Sequence, residues 1–333
     1  MIEKDELYPL IFQPIYVNVV WGGTMLSSYL GRDLPQMDLP VGESWEISDR
    51  DGAESIVSSG ELKGRKIGKL IEYYGKSLLG ENFRGGRFPL LVKLIDAGKR
   101  LSLQVHPDEA NCRSNPGAEP KTEMWYIMSA RPGSKIYAGL KPNCTRMQFV
   151  ENIKSTDIEN CLQIHRSEVG DAYYIPAGRV HAIGSGNLLL EIQQNSNTTF
   201  RISDWGRVGS DGKSRELHIE QAFKCINFMD RVNPKISGVS DLSAHNRKYP
   251  IINRCPFFKV DEIRLVESYL DRTERSSFQL LTATSNPVTI RGREKKCEVR
   301  IEKGRTALVP ANFGGYTIEM DPGHNATVIK TSI

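Results

Sequence analysis

Short runs of β-branched and aromatic residues, separated by turn residues, fill most of the chain, and apolar spacing turns helical in only three places. Residues 10–21 (LIFQPIYVNVVW), 42–57, 89–106, 123–130 and 171–194 read as strands. In residues 61–80 the period changes: Ile67, Leu70, Ile71, Tyr74 and Leu78 recur at three to four, which predicts a helix. Residues 145–165 and 214–230 predict two more helices, and beyond residue 245 the chain returns to short strands. Many short strands with a few inserted helices predict a mainly β architecture, barrel-like or a sandwich.

A short self-similarity suggests duplication. GDAYYIPAGRVHAI (170–183) aligns with GRTALVPANFGGYTI (304–318) at a constant offset, pairing Gly170 with Gly304, Pro176 with Pro310 and Ala177 with Ala311. His181 of the first copy faces Gly315 of the second, so one copy carries chemistry and the other is structural if the repeat is real.

Composition narrows the class. The 333 residues are 39% hydrophobic and 25% charged, enough for a sizeable core and too apolar for a disordered chain. The net charge of +4 is dispersed, which argues against a nucleic-acid partner while suiting a pocket for a small anion. No apolar run reaches the roughly 18 residues of a membrane span, and the charged N-terminus is unlike a signal peptide. Six cysteines without CxxC spacing read as reduced thiols of a cytoplasmic protein.

LSLQVHPDE holds the densest candidate chemistry. Gln104 and His106, two apart on a strand, project from one face, and Pro107 ends that strand. With Glu123 and His181 they offer two imidazoles, a carboxylate and an amide oxygen, a donor set for zinc or another first-row divalent ion. Taken singly, each histidine could equally be a hydrogen-bonded residue at a strand end. Cations surround these segments: Lys121 two before Glu123, Lys93 and Lys99 upstream, and Arg201 and Arg207 in TTFRISDWGR, whose guanidinium forks suit phosphate or an enediolate. Glu191 lies in the apolar strand LLLEIQQ, where burial would raise its pKa toward that of a base. YGKS is no phosphate loop, and GxSxG and GxGxxG are absent.

Together PLLVKLIDAGKRLSLQVHPDE, KTEMWYI, YYIPAGRVHAIGSG, TTFRISDWGR, VVWGG and GESWEIS resemble, in the same order, the signatures of the type I mannose-6-phosphate isomerase family in its short bacterial form. The resemblance covers most of residues 14–230 and is weaker after 245. It implies a cupin jelly-roll β-barrel with helical insertions over residues 1–240, carrying one divalent metal ion, with zinc the first choice. A smaller cupin-like β-domain without metal ligands would follow over 241–333. Carried over by position, the metal ligands fall on Gln104, His106, Glu123 and His181, the catalytic arginine on Arg201 and the active-site lysine on Lys121. Glu191 matches a carboxylate proposed as base, Ser102 a serine near the phosphate, and Arg207 a phosphate-side position where the family usually has lysine.

The implied function is reversible aldose–ketose isomerisation of mannose 6-phosphate and fructose 6-phosphate through a metal-assisted cis-enediol(ate). A base near neutral pH, an electrophile for the oxygens and a phosphate anchor are the groups such chemistry needs. Lys121 and Glu191 both remain open as the proton shuttle. Two other readings stand beside it: a non-catalytic sugar-phosphate-binding cupin, and an Fe(II) cupin oxygenase using two histidines and a glutamate. The expected partner is a small sugar phosphate, with neither nucleic acid nor membrane involved, and the oligomeric state is left open.

Overall fold

The computed structural model describes residues 1–333 except 37, 156, 210, 211, 237–244 and 295, and except the side chain of residue 5. The protein is mainly β, with 39% strand against 13% helix. The expected boundary between residues 240 and 241 lies outside the described residues. Two compact units are not contiguous in the chain: one takes residues 16–44 and 92–238, the other 1–15, 45–91 and 239–333.

In the first unit a five-stranded sheet runs in the order Leu162–Arg166, Lys135–Leu140, His181–Ile183, Leu103–Val105, Phe200–Ser203. Strands Lys235–Ile236, Ala172–Ile175, Glu123–Ala130 and Asn187–Gln194 follow one another in a second, seven-stranded sheet. Strand alternation divides the five-stranded sheet into two faces. Ile136, Ala138 and Ile183 pack with Trp125, Ile127, Tyr173 and Leu189 of the other sheet, which makes a sandwich. Leu103, Val105, Ala182, Phe200 and Ile202 point the opposite way, onto the helical insertions with Phe149, Ile158 and Ala222. Each fully buried aliphatic side chain of this kind contributes about 1.5–3 kcal/mol. Among the described residues the expected barrel is not closed by hydrogen bonds. Both sheets end in short edge strands of two to five residues, such as Lys235–Ile236 and Leu162–Arg166, which leave the ladders open.

The other unit has a six-stranded sheet, from Leu10–Ile11 through Thr306–Val309, Gln279–Ala283, Ala326–Ser332 and Lys259–Leu265 to Arg247–Ile252. Its four-stranded partner runs Tyr269–Arg272, Gly315–Met320, Val288–Gly292, Glu298–Ile301. The duplication holds at the level of strands. Ala172–Ile175 and Thr306–Val309 share the repeat's offset at both ends, and the strands opened by His181 and Gly315 share it at their start.

Two helical expectations change. The helix expected over 61–80 is two pieces, Ile67–Tyr74 and Lys76–Leu79, divided at Gly75, whose φ of 49° breaks the turn. The stretch 145–165 is helical only at Arg146–Lys154 and, as a 3-10 turn, Ile158–Cys161, while Leu162–Arg166 is a strand. Leu162 and Ile164 fit a period of two as well as a helix, and pairing with Lys135–Leu140 decides between them. Cysteine usage is also corrected: Cys144 and Cys161 form a disulfide, their Cα atoms 5.3 Å apart. Folding brings the pair together across the insertion, which sequence spacing could not show.

The VWGG segment has a steric explanation. A Cβ on Gly23 would fall 1.9 Å from Asp96 Oδ1, and Asp96 Oδ2 accepts the Leu26 N–H at 2.9 Å, at the start of the short helix Met25–Ser28. Among the described residues, no helix is long and apolar enough to cross a membrane.

Candidate active site and metal centre

Sheet register draws distant residues into one row. Ala138, His181, Gln104 and Arg201 are successive cross-strand partners in the five-stranded sheet, so their side chains share a face. From the other sheet Glu123, the first residue of its strand, is paired with Ile175 on one side and Gln193 on the other. His106 lies one residue beyond the end of Leu103–Val105.

These elements converge on one point. Donor atoms of His106, Glu123 and His181 all lie within 4.8 Å of one another, and all three residues are buried. His106 Nε2 is 3.4 Å from Glu123 Oε2, and His181 Nε2 is 3.3 Å from Oε1. Each imidazole has its other nitrogen occupied: Nδ1 of His106 meets the Thr198 carbonyl and Nδ1 of His181 the Arg179 carbonyl, both at 2.9 Å. Those carbonyls can only accept, so Nδ1 carries the proton and each Nε2 presents a lone pair to a carboxylate. His106 Nε2 and both Glu123 oxygens have no hydrogen-bond partner. Buried lone pairs facing one another repel unless a proton or a cation stands between them, and backbone-anchored imidazoles beside a carboxylate are how proteins hold a divalent metal. Gln104 completes the ring: its Nε2 is 3.3 Å from His181 Nε2, and a half-turn of the amide presents its oxygen instead.

Electrostatics favour a cation over a proton. Burial pushes the His106 imidazole down to about 3, and the Lys121 charge adds to the effect. His181 is lowered chiefly by burial, against the pull of Glu123. Burial alone would raise Glu123, but the Lys121 charge overrides it and holds the carboxyl well below its ordinary range. Lys121 Nζ, itself buried, is 2.9 Å from Glu123 Oε2. The cluster is therefore two neutral imidazoles and an ionised carboxylate, the protonation state a metal requires.

Known proteins are similar to this chain over nearly its whole length. The family described as phosphomannose isomerase type I, catalytic domain, matches residues 10–126. Mannose-6-phosphate isomerase ManA of Bacillus subtilis is 38% identical over 316 residues, covering 93% of this chain and 96% of that protein. The chain belongs to the type I mannose-6-phosphate isomerase family. The crystal structure of the mannose 6-phosphate isomerase from Bacillus subtilis superimposes with a TM-score of 0.86 at 29% identity, covering 98% of this chain and all of that one. A mannose 6-phosphate isomerase structure described as bound with zinc and yttrium shares 14% identity at a TM-score of 0.74, covering 98% and 99%, and speaks to the fold alone.

Of the other positions expected from the isomerase family, Ser102 and Arg201 adjoin Gln104. Ser102 is buried, its hydroxyl directed at Gln104 Oε1 at 3.4 Å. Arg201 donates from Nη1 to the Glu216 carbonyl at 2.7 Å, and its buried Nε has no hydrogen-bond partner. Burial lowers this guanidinium, with Arg215 adding to the effect. Arg207 lies in the following turn: Nη2 donates to the Arg100 carbonyl, and Nη1 is 3.6 Å from Asp204, which Arg215 grips with two hydrogen bonds.

Glu191 accepts the Trp125 indole N–H at 3.0 Å, with Lys93 Nζ at 3.4 Å. Lys93 is also 3.4 Å from Glu43. Burial and the Glu123 charge raise Glu191, while burial of Lys93 is outweighed by Glu43, Glu191 and Glu123, so the lysine stays charged. Three carboxylates share two lysines here, which leaves Glu191 the weaker acid. Sequence reasoning left Glu43 unassigned, although it stands in the GESWEIS signature; a carboxylate in an apolar strand was the available signal. Nothing in spacing pointed to Thr198 or to the Arg179 carbonyl, because backbone acceptors have no residue type.

Proposed function

We propose that this chain interconverts mannose 6-phosphate and fructose 6-phosphate, with one divalent ion, zinc first, held by His106, Glu123, His181 and Gln104. The observation that carries the reading is the convergence of two backbone-anchored imidazoles on a carboxylate whose oxygens have no hydrogen-bond partner. Membership of the isomerase family and the zinc in a structural neighbour support the same reading. When bound, such an ion supplies a Lewis acid for the sugar's carbonyl and hydroxyl oxygens.

The residues then divide the work. Arg201, cross-strand neighbour of Gln104, brings a guanidinium with a free donor to the oxygens that become negative as a proton moves between C2 and C1. Lys121 is our choice for the proton shuttle, since it lies against the ligand carboxylate. Glu191 has one oxygen taken by Trp125 and the other beside Lys93, which suits setting the field of the pocket. Ser102 and Arg207 would hold the phosphate, and the arginine keeps the charge of the family's lysine. The fold division proposed with this function keeps the metal-bearing chemistry in the N-terminal part and none in residues 241–333.

Chelation and rescue tests the whole reading. Conversion of mannose 6-phosphate to fructose 6-phosphate, followed in a coupled assay, should stop when the ion is stripped and return with Zn2+. Turnover untouched by chelation would overturn it, as would substrate binding without turnover in the metal-replete protein. A cytoplasmic location belongs to the proposal too.

A further inference from the structure

One turn touches all three ligand-bearing segments. In residues 176–179 (Pro-Ala-Gly-Arg) the Ala177 N–H reaches Thr122 Oγ1, next to Glu123, at 3.3 Å. The Gly178 N–H donates to the His106 carbonyl at 2.9 Å. The Arg179 carbonyl accepts from His181 Nδ1 at 2.9 Å. Gly178 has a φ of 83°, and a Cβ there would come within 3.0 Å of the Cys225 carbonyl, so the turn has little freedom to be built otherwise.

The turn is fastened from outside by residues 227–232. The Asn227 N–H donates to the Gly178 carbonyl at 2.9 Å. Arg179, only 2% exposed, forms a two-pronged pair with Asp230 at 2.5 and 2.8 Å and donates further to the Tyr174 and Val232 carbonyls at 2.7 and 3.0 Å. A buried ion pair adds little to stability over an apolar pair of the same volume, so its use here calls for a reason in geometry. Its fork sets the peptide plane of Arg179, and that plane aims the carbonyl that orients His181.

We propose that Arg179 and Asp230 are positioning residues for the metal, acting through the 176–179 turn on His181 and, by way of Gly178, on His106. The inference rests on the metal reading above. Groups that orient a metal-bound imidazole typically change metal affinity 10–100-fold when removed.

The test is Zn2+ affinity of the full chain, measured on chelator-stripped protein by competition with a chromogenic chelator, with circular dichroism as the check on folding. Arg179→Met and Asp230→Asn should each weaken Zn2+ binding about 10–100-fold. The double variant should be little worse than either single one, because both act through one turn. Arg179→Lys, which keeps the charge without the fork, should fall between. Asp230→Asn preserves volume but sets an amide N–H against one prong of the guanidinium fork, and gives the reading if Arg179→Met is insoluble. Tyr316→Phe, a destabilising change in the other unit, serves as control and should leave Zn2+ affinity unmoved. Folded variants that bind Zn2+ as tightly as the parent, even with lowered Tm, would reduce the pair to a structural role. Absence of Zn2+ uptake by the parent chain would instead sink the metal reading itself.

Discussion

The metal-bearing sandwich and the C-terminal one use equivalent strands to opposite ends. In the first, Glu123 is the cross-strand partner of Ile175; in the second the same place opposite Val309 is Gln279. His181, paired with Gln104, has as its counterpart Gly315, paired with Arg272. Beside that glycine Tyr316, fully buried, sends its hydroxyl to Gln279 Oε1 and, at 3.3 Å, to Asp271, which Lys330 neutralises at 2.5 Å. Burial, helped by Asp271, raises the phenol well above its ordinary range, so it remains a neutral donor. At the first centre the carboxylate oxygens and an imidazole nitrogen thus make no hydrogen bond, with Lys121 as the ion-pair partner, while at the equivalent place Tyr316, Gln279 and Asp271 bond one another. The difference teaches how a β sandwich becomes a binding site: by withholding the last hydrogen bond rather than by adding a new element.

That contrast can be broken at several points. The largest effect is expected from Glu123→Gln or His181→Ala, which should abolish stoichiometric Zn2+ and lower turnover by about 10³-fold or more, since a Lewis acid supplies several kcal/mol. Metal analysis and steady-state rates check both losses. The reverse graft, Gln279→Glu with Gly315→His, should leave Zn2+ stoichiometry at the parent value, because Tyr316 fills the space; a second equivalent bound would refute the contrast. Arg201→Ala should lower kcat about 10²–10³-fold without altering metal content, as removal of a charge-stabilising donor does.

Smaller effects concern stability. Tyr316→Phe should cost about 1–3 kcal/mol in urea unfolding, by stranding the Gln279 side-chain oxygen, and should leave kcat unchanged. Asp96 sharpens the comparison from the other side. Its Oδ1 also lacks a partner, yet it serves a helix start and no ligand. Burial raises its carboxyl above 3.8, against the N–H groups of Leu26 and Met25, so ionisation weakens the fold and this cost is present at neutral pH. Asp96→Asn should therefore stabilise by about 1 kcal/mol or less at pH 7, and the gain should vanish as acid protonates the parent carboxyl, which paired urea curves at the two pH values would register.

Much of this was legible in the sequence, and the reasons are physical. The strand Glu123–Ala130 was legible because its centre, residues 124–128, is a continuous apolar run, as two-sided burial demands. His106, Glu123 and His181, which the fold brings together, stand out in the sequence with Gln104 as a donor set at strand ends, and the family resemblance assigns all four as ligands. The residues behind them were not legible. Thr198 and Arg179 contribute carbonyls, which every residue has, and Glu43 comes to Lys93 only through folding. The 162–166 strand was hidden by a pattern that fits two periods, and the Cys144–Cys161 bond by the insertion that separates its ends.

The row Ala138, His181, Gln104, Arg201 has a consequence for how such sequences diverge. Side chains on a strand alternate, so adding or losing one residue within 103–105 or 181–183 would turn a donor away from its companions. Stretches such as 107–122 and 141–161 carry no such parity. Lineages descending from this chain should accumulate length changes there and remain invariant in length within these short ladders.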